Sequence, residues 1–204
     1  DSTAPGAGVI QPETRKYRTD YYRDEALDFI RTNSSQPFFL IVSTNAPHGP
    51  ATPAEEDRDK QFSIYGAPSY MESDMSDKSS EVRMTAQDYG EQEMALDKFY
   101  LNQMRSLQAV DRAVDAIVRE VESRGELEDT IFLYTSDNGY LWGEHGLSSK
   151  TRPYEESVRV PFIVRMPGIP ARKDSHIVSP NLDIGATLYD IIGLSKRTDG
   201  STLI

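Results

Sequence analysis

Three short apolar runs are the feature that most constrains the fold of this chain. They occupy residues 38–43, 130–135 and 160–166, and turn-forming residues bound each of them. Continuous apolar runs of this length predict strands that are buried on both faces, as in a parallel sheet covered by helices. We therefore expect an α/β fold with a mostly parallel sheet sandwiched by helices.

Helical patterns separate the predicted strands. Residues 92–124 carry apolar side chains at a spacing of three or four, and Gly125 follows as the expected C-terminal cap. Shorter helices are predicted over residues 21–33, with Asp20 as the N-cap, and over residues 181–192, with Asn181 as the N-cap.

Between the first predicted strand and the long helix, residues 49–90 show little periodicity and are rich in Pro, Gly, Ser, Asp and Glu. They predict a long excursion over the surface, and loops of this length are often functional.

The amino-acid composition limits the kinds of molecule that this chain is expected to bind. The net charge is -11, from 22 basic and 33 acidic residues, and such a balance disfavours nucleic acid as a partner. No apolar run is long enough to suggest a membrane span, so no membrane partner is expected. The absence of cysteine excludes disulfides and thiolate metal sites within these residues.

Polar side chains follow the first two predicted strands directly. His48 comes after the first strand, and Asp137 with Asn138 comes after the second, ahead of a loop that carries His145 and Lys150. Ligands of open α/β sheets bind beyond the carboxyl ends of the strands, so these groups are expected to share one crevice. Adjacent carboxylate and amide oxygens suit calcium or magnesium better than zinc.

Each of these residues also has an ordinary structural explanation. An Asp-Asn-Gly sequence is a common turn, a single lysine is usually solvated, and a histidine between turn residues is more often structural than catalytic. Their joint placement after neighbouring strands is what favours a functional site.

The motifs together resemble the sulfatase family, whose catalytic domain has the alkaline phosphatase-like fold. The residues that carry this resemblance are, in chain order, 38–40, 46–48, 105–111, 135–140, 143–146, 150, 154–155, 159–162 and 199–201. Within the family, residues 69–78 are most similar to arylsulfatase and N-acetylglucosamine-6-sulfatase-like members.

The resemblance implies a role for each candidate residue. Asp137 and Asn138 would be ligands of a calcium ion, and His48 and Lys150 would bind the sulfate group, with His48 as a proton donor to the leaving oxygen. His145 would approach the substrate from the same loop, or would order that loop through hydrogen bonds. The substrate would be a sulfated carbohydrate, glycosaminoglycan or aryl ester.

The resemblance also implies that parts of the catalytic domain lie outside residues 1–204. The family's nucleophile is a formylglycine made within a Cys/Ser-x-Pro-x-Arg sequence, which does not occur in these residues. We therefore expect residues 1–204 to be the middle-to-late part of an incomplete domain that needs an upstream nucleophile region, a C-terminal subdomain and a partner in the remainder of the domain. Alone, the segment is expected to be inactive.

Two alternatives remain at this stage. A phosphodiester or phosphonate monoester hydrolase of the same superfamily would use similar residues, although Asn138 favours a sulfatase because the phosphoryl relatives more often have histidine there. A non-catalytic scaffold would retain the fold without the nucleophile. The sequon at residues 33–35 accords with a secreted, periplasmic or lysosomal protein rather than a cytoplasmic one.

Overall fold

The computed structural model describes most of the chain and divides it into two compact units. The described residues are 16–33, 36–64, 69–70, 72–87, 93–173 and 179–203. The first unit comprises Asp1–Tyr65 and Glu93–Arg124, and the second comprises Gly66–Gln92 and Gly125–Ile204.

Two helices form the core of the first unit. Helix α1 (Arg18–Thr32) packs against helix α3 (Glu93–Ser123), and Arg31 of α1 donates to Glu120 of α3 at 2.8 Å. Ala26 and Ile30 of α1 and Ala109, Ala113 and Val121 of α3 are buried. Both predicted helices are confirmed. The predicted cap is wrong, because Tyr17 holds the N-cap position and Asp20 lies inside the first turn.

A buried ion pair joins a 3-10 turn (Glu55–Asp57) to α3 in the same unit. Asp57 has no exposed surface, and its two carboxylate oxygens accept hydrogen bonds from Arg112 at 3.0 and 2.7 Å. Lys60 adds a second cation at 2.9 Å. The Arg112 guanidinium, helped by Lys60, holds the pKa of the Asp57 carboxyl below its usual value against the opposing effect of burial.

The first predicted strand is not a strand in this structure. Residues 38–43 are described without strand pairing, and Phe39 and Ile41 are 67% and 73% exposed. Phe38 packs edge-on against Phe29 of α1 with ring centroids 5.9 Å apart. Phe38, Leu40 and Val42 are half-buried, so one side of the run is covered while the other is exposed. The prediction of a buried strand here is therefore wrong.

The second unit contains two small antiparallel ladders. Strand β1 (Phe132–Thr135) pairs with β4 (Phe162–Arg165), and the short strands β2 (Leu141–Trp142) and β3 (Ser148–Ser149) form a hairpin. The described part of the unit also contains a 3-10 turn (Leu127–Asp129) and the helices α2 (Ser80–Gln87), α4 (Glu155–Val158) and α5 (Pro180–Ile191).

The strands at 130–135 and 160–166 are confirmed in position, but they do not pair in parallel. Residues 136–161 contain only the hairpin and the one-turn helix α4, so the chain returns along β1 without the long crossover that parallel pairing requires. Ile163 is 61% exposed, so these strands are not buried on both faces either.

The core of the second unit is formed partly by the predicted excursion. Val82 on α2 is buried against Leu141 and Leu147 of the hairpin, with Met75 and Tyr154 packed beside them. Within residues 49–90, positions 65–68, 71 and 88–90 lie outside the described residues. Over the rest, the prediction of a surface excursion holds only in part, because α2 is a helix that contributes to a core. None of the helices within the described ranges is long and apolar enough to cross a membrane.

The N-cap of helix α5 lies two residues before the predicted one. Ser179 is the N-cap and Pro180 occupies the first helical position, where its missing N–H costs nothing. Asn181 therefore lies inside the helix. Asp183 accepts hydrogen bonds from the Ser179 and Ser201 backbone N–H groups at 2.7 and 2.8 Å, which lowers the pKa of its carboxyl.

Candidate functional site

The loop after β1 is fixed by hydrogen bonds to itself and to α4. The Ser136 hydroxyl donates to the Asn138 carbonyl at 2.9 Å, and the Gly139 N–H donates to the Ser157 carbonyl at 2.9 Å. A Cβ at Gly139 would lie 2.1 Å from the backbone oxygen of Glu156. The loop can therefore approach α4 this closely only because residue 139 has no side chain.

Lys150 meets Asn138 across this loop. Its Nζ donates to Asn138 Oδ1 at 3.1 Å, and both side chains are half-buried. The flanking residues Ser149 and Thr151 have φ angles of 79° and 73°, in the left-handed region that non-glycine residues rarely adopt. Strained backbone of this kind persists only where the surrounding structure enforces it, and it is concentrated at functional sites.

Asp137 and Asn138 offer oxygen atoms of the type that hard cations bind. The Asp137 side chain is exposed, and Asn138 Oδ1 can accept a second contact because an amide oxygen has two lone pairs. Among the described residues, however, no three acidic or histidine side chains cluster as a complete metal site. The donor chemistry fits a divalent ion, while the number of ligands falls short of the six to eight that calcium takes.

His48 lies in the first unit, on an exposed turn where the Ala46–Pro47 and Gly49–Pro50 bonds are both cis. Its Nδ1 is 3.0 Å from the Gly49 carbonyl oxygen. A carbonyl only accepts, so Nδ1 carries a proton in this arrangement. Nε2 is then the nitrogen that can accept from or donate to a ligand, depending on protonation.

His145 lies in the turn of the β2–β3 hairpin, with both ring nitrogens facing carboxylates. Nδ1 is 2.9 Å from Glu72 Oε1, and Nε2 is 3.5 Å from Glu156 Oε2. The ring also stacks on Tyr154 with centroids 4.4 Å apart. Contacts of this kind can order the loop, which is one of the two roles expected for His145.

Glu72 joins His145 to a lysine. Lys78 Nζ lies 2.9 Å from Glu72 Oε1 and 2.8 Å from Asp77 Oδ1. The hydrogen bond from His145, followed by that from Lys78, lowers the pKa of the Glu72 carboxyl. Asp77 and then Glu72 raise the pKa of the Lys78 ammonium.

The structure brings some of the predicted residues together and adds others. Asn138 and Lys150 are in contact, with Asp137 adjacent in the chain, and His145 lies on the hairpin that leads to Lys150. Glu72 and Glu156, the partners of His145, were not predicted as functional. Glu72 lies within residues 69–78, and the resemblance of that segment to the sulfatase family was the signal that could have pointed to it. Glu156 directly follows Tyr154 and Glu155, which match a family motif.

Comparisons with known proteins identify the family. The sulfatase family profile matches residues 4–194. The chain is 35% identical to N-acetylglucosamine-6-sulfatase from Bos taurus over 92% of its length and 35% of the relative's. It is 33% identical to the extracellular sulfatase SULF-1 homologue of Drosophila melanogaster over 92% of its length and 18% of that protein. The chain thus spans about a third or less of these relatives.

Solved structures show the same fold. A protein in complex with its substrate D-glucosamine-2-N,6-O-disulfate superposes with a TM-score of 0.68 at 24% identity, over 93% of this chain and 52% of that one. The phosphonate monoester hydrolase of Agrobacterium radiobacter superposes with a TM-score of 0.70 at 23% identity, over 92% and 42%. The fold is thus the alkaline phosphatase-like α/β fold of sulfatases. With a family match over residues 4–194, this chain belongs to the sulfatase family, whose members generally use a metal ion.

Proposed function

We propose that the full-length protein is a sulfuric ester hydrolase and that residues 1–204 provide its sulfate-binding lysine and part of its metal site. One observation carries this proposal: Lys150 Nζ lies 3.1 Å from Asn138 Oδ1, beside the exposed carboxylate of Asp137. A cationic donor and two hard oxygen ligands therefore occupy one loop cluster. That combination suits an anionic ester held next to a divalent ion.

The residues have distinct roles in this proposal. A sulfate ester is a monoanion, and cleavage moves charge toward the bridging oxygen. Lys150 is a compact point charge with three donors, so it can bind a sulfate oxygen while one N–H remains on Asn138. His48 donates a proton from Nε2 to the leaving oxygen.

Asp137 and Asn138 are the residues that would hold a calcium ion, with further ligands from outside residues 1–204. Bound calcium would supply positive charge beside the sulfate oxygens. The formylglycine nucleophile is likewise proposed to lie upstream of residue 1, in the remainder of the domain. On this basis residues 1–204 alone release no sulfate.

The proposed substrate is a sulfated carbohydrate. The 35% identity with the Bos taurus N-acetylglucosamine-6-sulfatase supports a 6-sulfated glucosamine unit, alone or within a glycosaminoglycan. A location outside the cytoplasm, either secreted, periplasmic or lysosomal, is proposed on the similarity to the Drosophila melanogaster protein named as an extracellular sulfatase.

A direct assay tests the activity. The full-length gene product, supplied with calcium, is incubated with glucosamine 6-sulfate, an aryl sulfate, a phosphodiester and a phosphonate monoester, and released product is measured. Sulfate release that exceeds phosphoryl turnover at least tenfold is expected. Faster turnover of the phosphonate ester would instead indicate a phosphonate monoester hydrolase, like the Agrobacterium radiobacter enzyme of similar fold. A folded protein that is inactive on every ester would favour the scaffold.

A further inference from the structure

A histidine held between two acids connects the excursion to the site loop within the second unit. Glu72 contacts one ring nitrogen of His145 at 2.9 Å, and Glu156 lies 3.5 Å from the other. We call these three side chains the histidine clasp. They come from the excursion, the hairpin turn and α4, which are far apart in sequence.

Several contacts beside the clasp hold the same segment in place. The His145 backbone N–H donates to the Ser69 carbonyl at 2.8 Å, and the Ser69 hydroxyl donates to Glu156 Oε1 at 3.2 Å. Tyr70 forms a backbone bridge with Glu144, and its ring lies 2.3 Å from where a Cβ on Gly143 would be. Ser69, Tyr70 and Glu72 therefore lie directly against the hairpin turn.

The charges around the ring explain why histidine suits this position. A neutral imidazole can donate to Glu72 through Nδ1 but then presents an unprotonated Nε2 to Glu156. The imidazolium form donates toward both carboxylates. Tyr154 stacks on the ring, and the Lys78 ammonium lies 2.9 Å from the same Glu72 oxygen, Oε1, that His145 contacts.

The clasp touches both elements that position the proposed site. His145 stands on the β2–β3 hairpin, whose second strand runs directly into Lys150. Glu156 is on α4, whose Ser157 carbonyl holds Gly139 next to Asn138. A ring that ties the hairpin to α4 therefore restrains the two sides of the Lys150–Asn138 contact together.

We propose that His145 is a positioning residue, whose ring, clasped by Glu72 and Glu156, holds Lys150 against Asn138. The kinetic part of this proposal rests on the proposed sulfatase function. Ser69, Tyr70 and Glu72 then act as a brace for the site loop, which gives part of the long excursion a function.

The first test uses kinetics of the full-length gene product. His145→Phe keeps the stacking on Tyr154 and removes both ring nitrogens, while His145→Gln keeps a donor for Glu72. In His145→Phe, kcat is expected to fall about tenfold because Lys150 is misplaced, while KM changes less than about twofold. In His145→Gln, kcat is expected to stay within about threefold of the parent value. Glu128→Gln, which removes an exposed partner of Arg165, is the matched control and leaves kcat unchanged.

Amide hydrogen exchange tests the brace without reference to activity. In His145→Phe and Glu72→Gln, residues 69–72 and 143–146 exchange faster than in the parent, while Glu128→Gln matches the parent. Unchanged exchange in residues 69–72 overturns the clasp, and faster exchange with parental kcat overturns the positioning role. If the parent protein has no sulfatase activity, the proposed function fails. The amide exchange rates then decide by themselves whether the clasp holds Ser69, Tyr70 and Glu72 in place.

Discussion

Each of the two units contains a cationic side chain next to an oxygen acceptor. The two pairs differ in how far their hydrogen-bonding capacity is used up and in how deeply they are buried. In the first unit, Arg112 donates to both oxygens of Asp57, and Lys60 adds a further contact, on a carboxylate with no exposed surface. In the second unit, one N–H of Lys150 reaches Asn138 Oδ1 at 3.1 Å, and both groups are partly exposed.

The difference separates a structural pair from one that can bind a ligand. A buried carboxylate that already accepts from two cations has little capacity left for a ligand, so Asp57 is assigned a stabilising role. Lys150 retains donors, and the amide oxygen retains a lone pair. The backbone differs in the same way, because Asp57 ends a regular 3-10 turn whereas Lys150 lies between two left-handed residues.

The largest expected effect is on turnover. In the full-length gene product, Lys150→Ala and His48→Ala each lower kcat for sulfate release about a hundredfold, because a fixed positive group or a proton donor is lost at the reacting ester. Lys60→Ala, which removes a lysine from the closed pair, is the matched control and changes kcat less than about twofold. Near-parental rates in both site variants would remove the proposed roles.

Breaking the closed pair should affect stability rather than catalysis. Asp57→Ala leaves Arg112 without its buried partner and lowers the free energy of unfolding by about 2 kcal/mol, below the range for fully buried pairs because Arg112 is 34% exposed. Urea denaturation followed by circular dichroism measures the change. Asp115→Ala removes the carboxylate of an exposed Asp–Arg pair and should barely move the midpoint. Equal shifts in both variants would contradict the distinction.

Two glycines of the second unit test how tightly the site loop is packed. Gly139→Ala places a methyl group against the Glu156 carbonyl and costs about 1–3 kcal/mol of stability. Gly185→Ala, in the interior of α5 with open space around it, gains about 0.5–1 kcal/mol because alanine favours the helix. Thermal unfolding of both variants compares them, and a Gly139→Ala protein as stable as the parent would refute the close approach.

The smallest expected effect is a pH dependence from the clasp. The folded-state pKa of Glu72 is lowered, so its stabilising contribution is complete above its unfolded pKa of about 4.3 and is lost as pH falls through the folded value. The stability difference between the parent and Glu72→Gln should therefore shrink as the pH falls below about 4.3. Denaturant titrations on either side of that pH measure it. A difference that grows on acidification would have the wrong sign.

Local sequence patterns predicted the positions of the helices and strands closely, but they predicted poorly which strands pair with one another. The apolar stripe over residues 92–124 became α3 at Glu93–Ser123, because helix periodicity is a property of neighbouring residues. The run at 160–166 became β4, but its antiparallel pairing with β1 depends on how residues 136–161 return the chain. The run at 38–43 failed as a strand because pairing requires a neighbour that the run itself does not encode.

By itself, the sequence determined the family, most helix positions and the Asn138 and Lys150 candidates, because motif order and periodicity are local properties. Only the tertiary structure decided that Lys150 donates to Asn138, that Asp57 is closed off by Arg112, and that His145 faces Glu72. The clasp joins residues 73 positions apart in the chain. Contacts over such separations depend on packing of whole elements, and no spacing in the sequence specifies them.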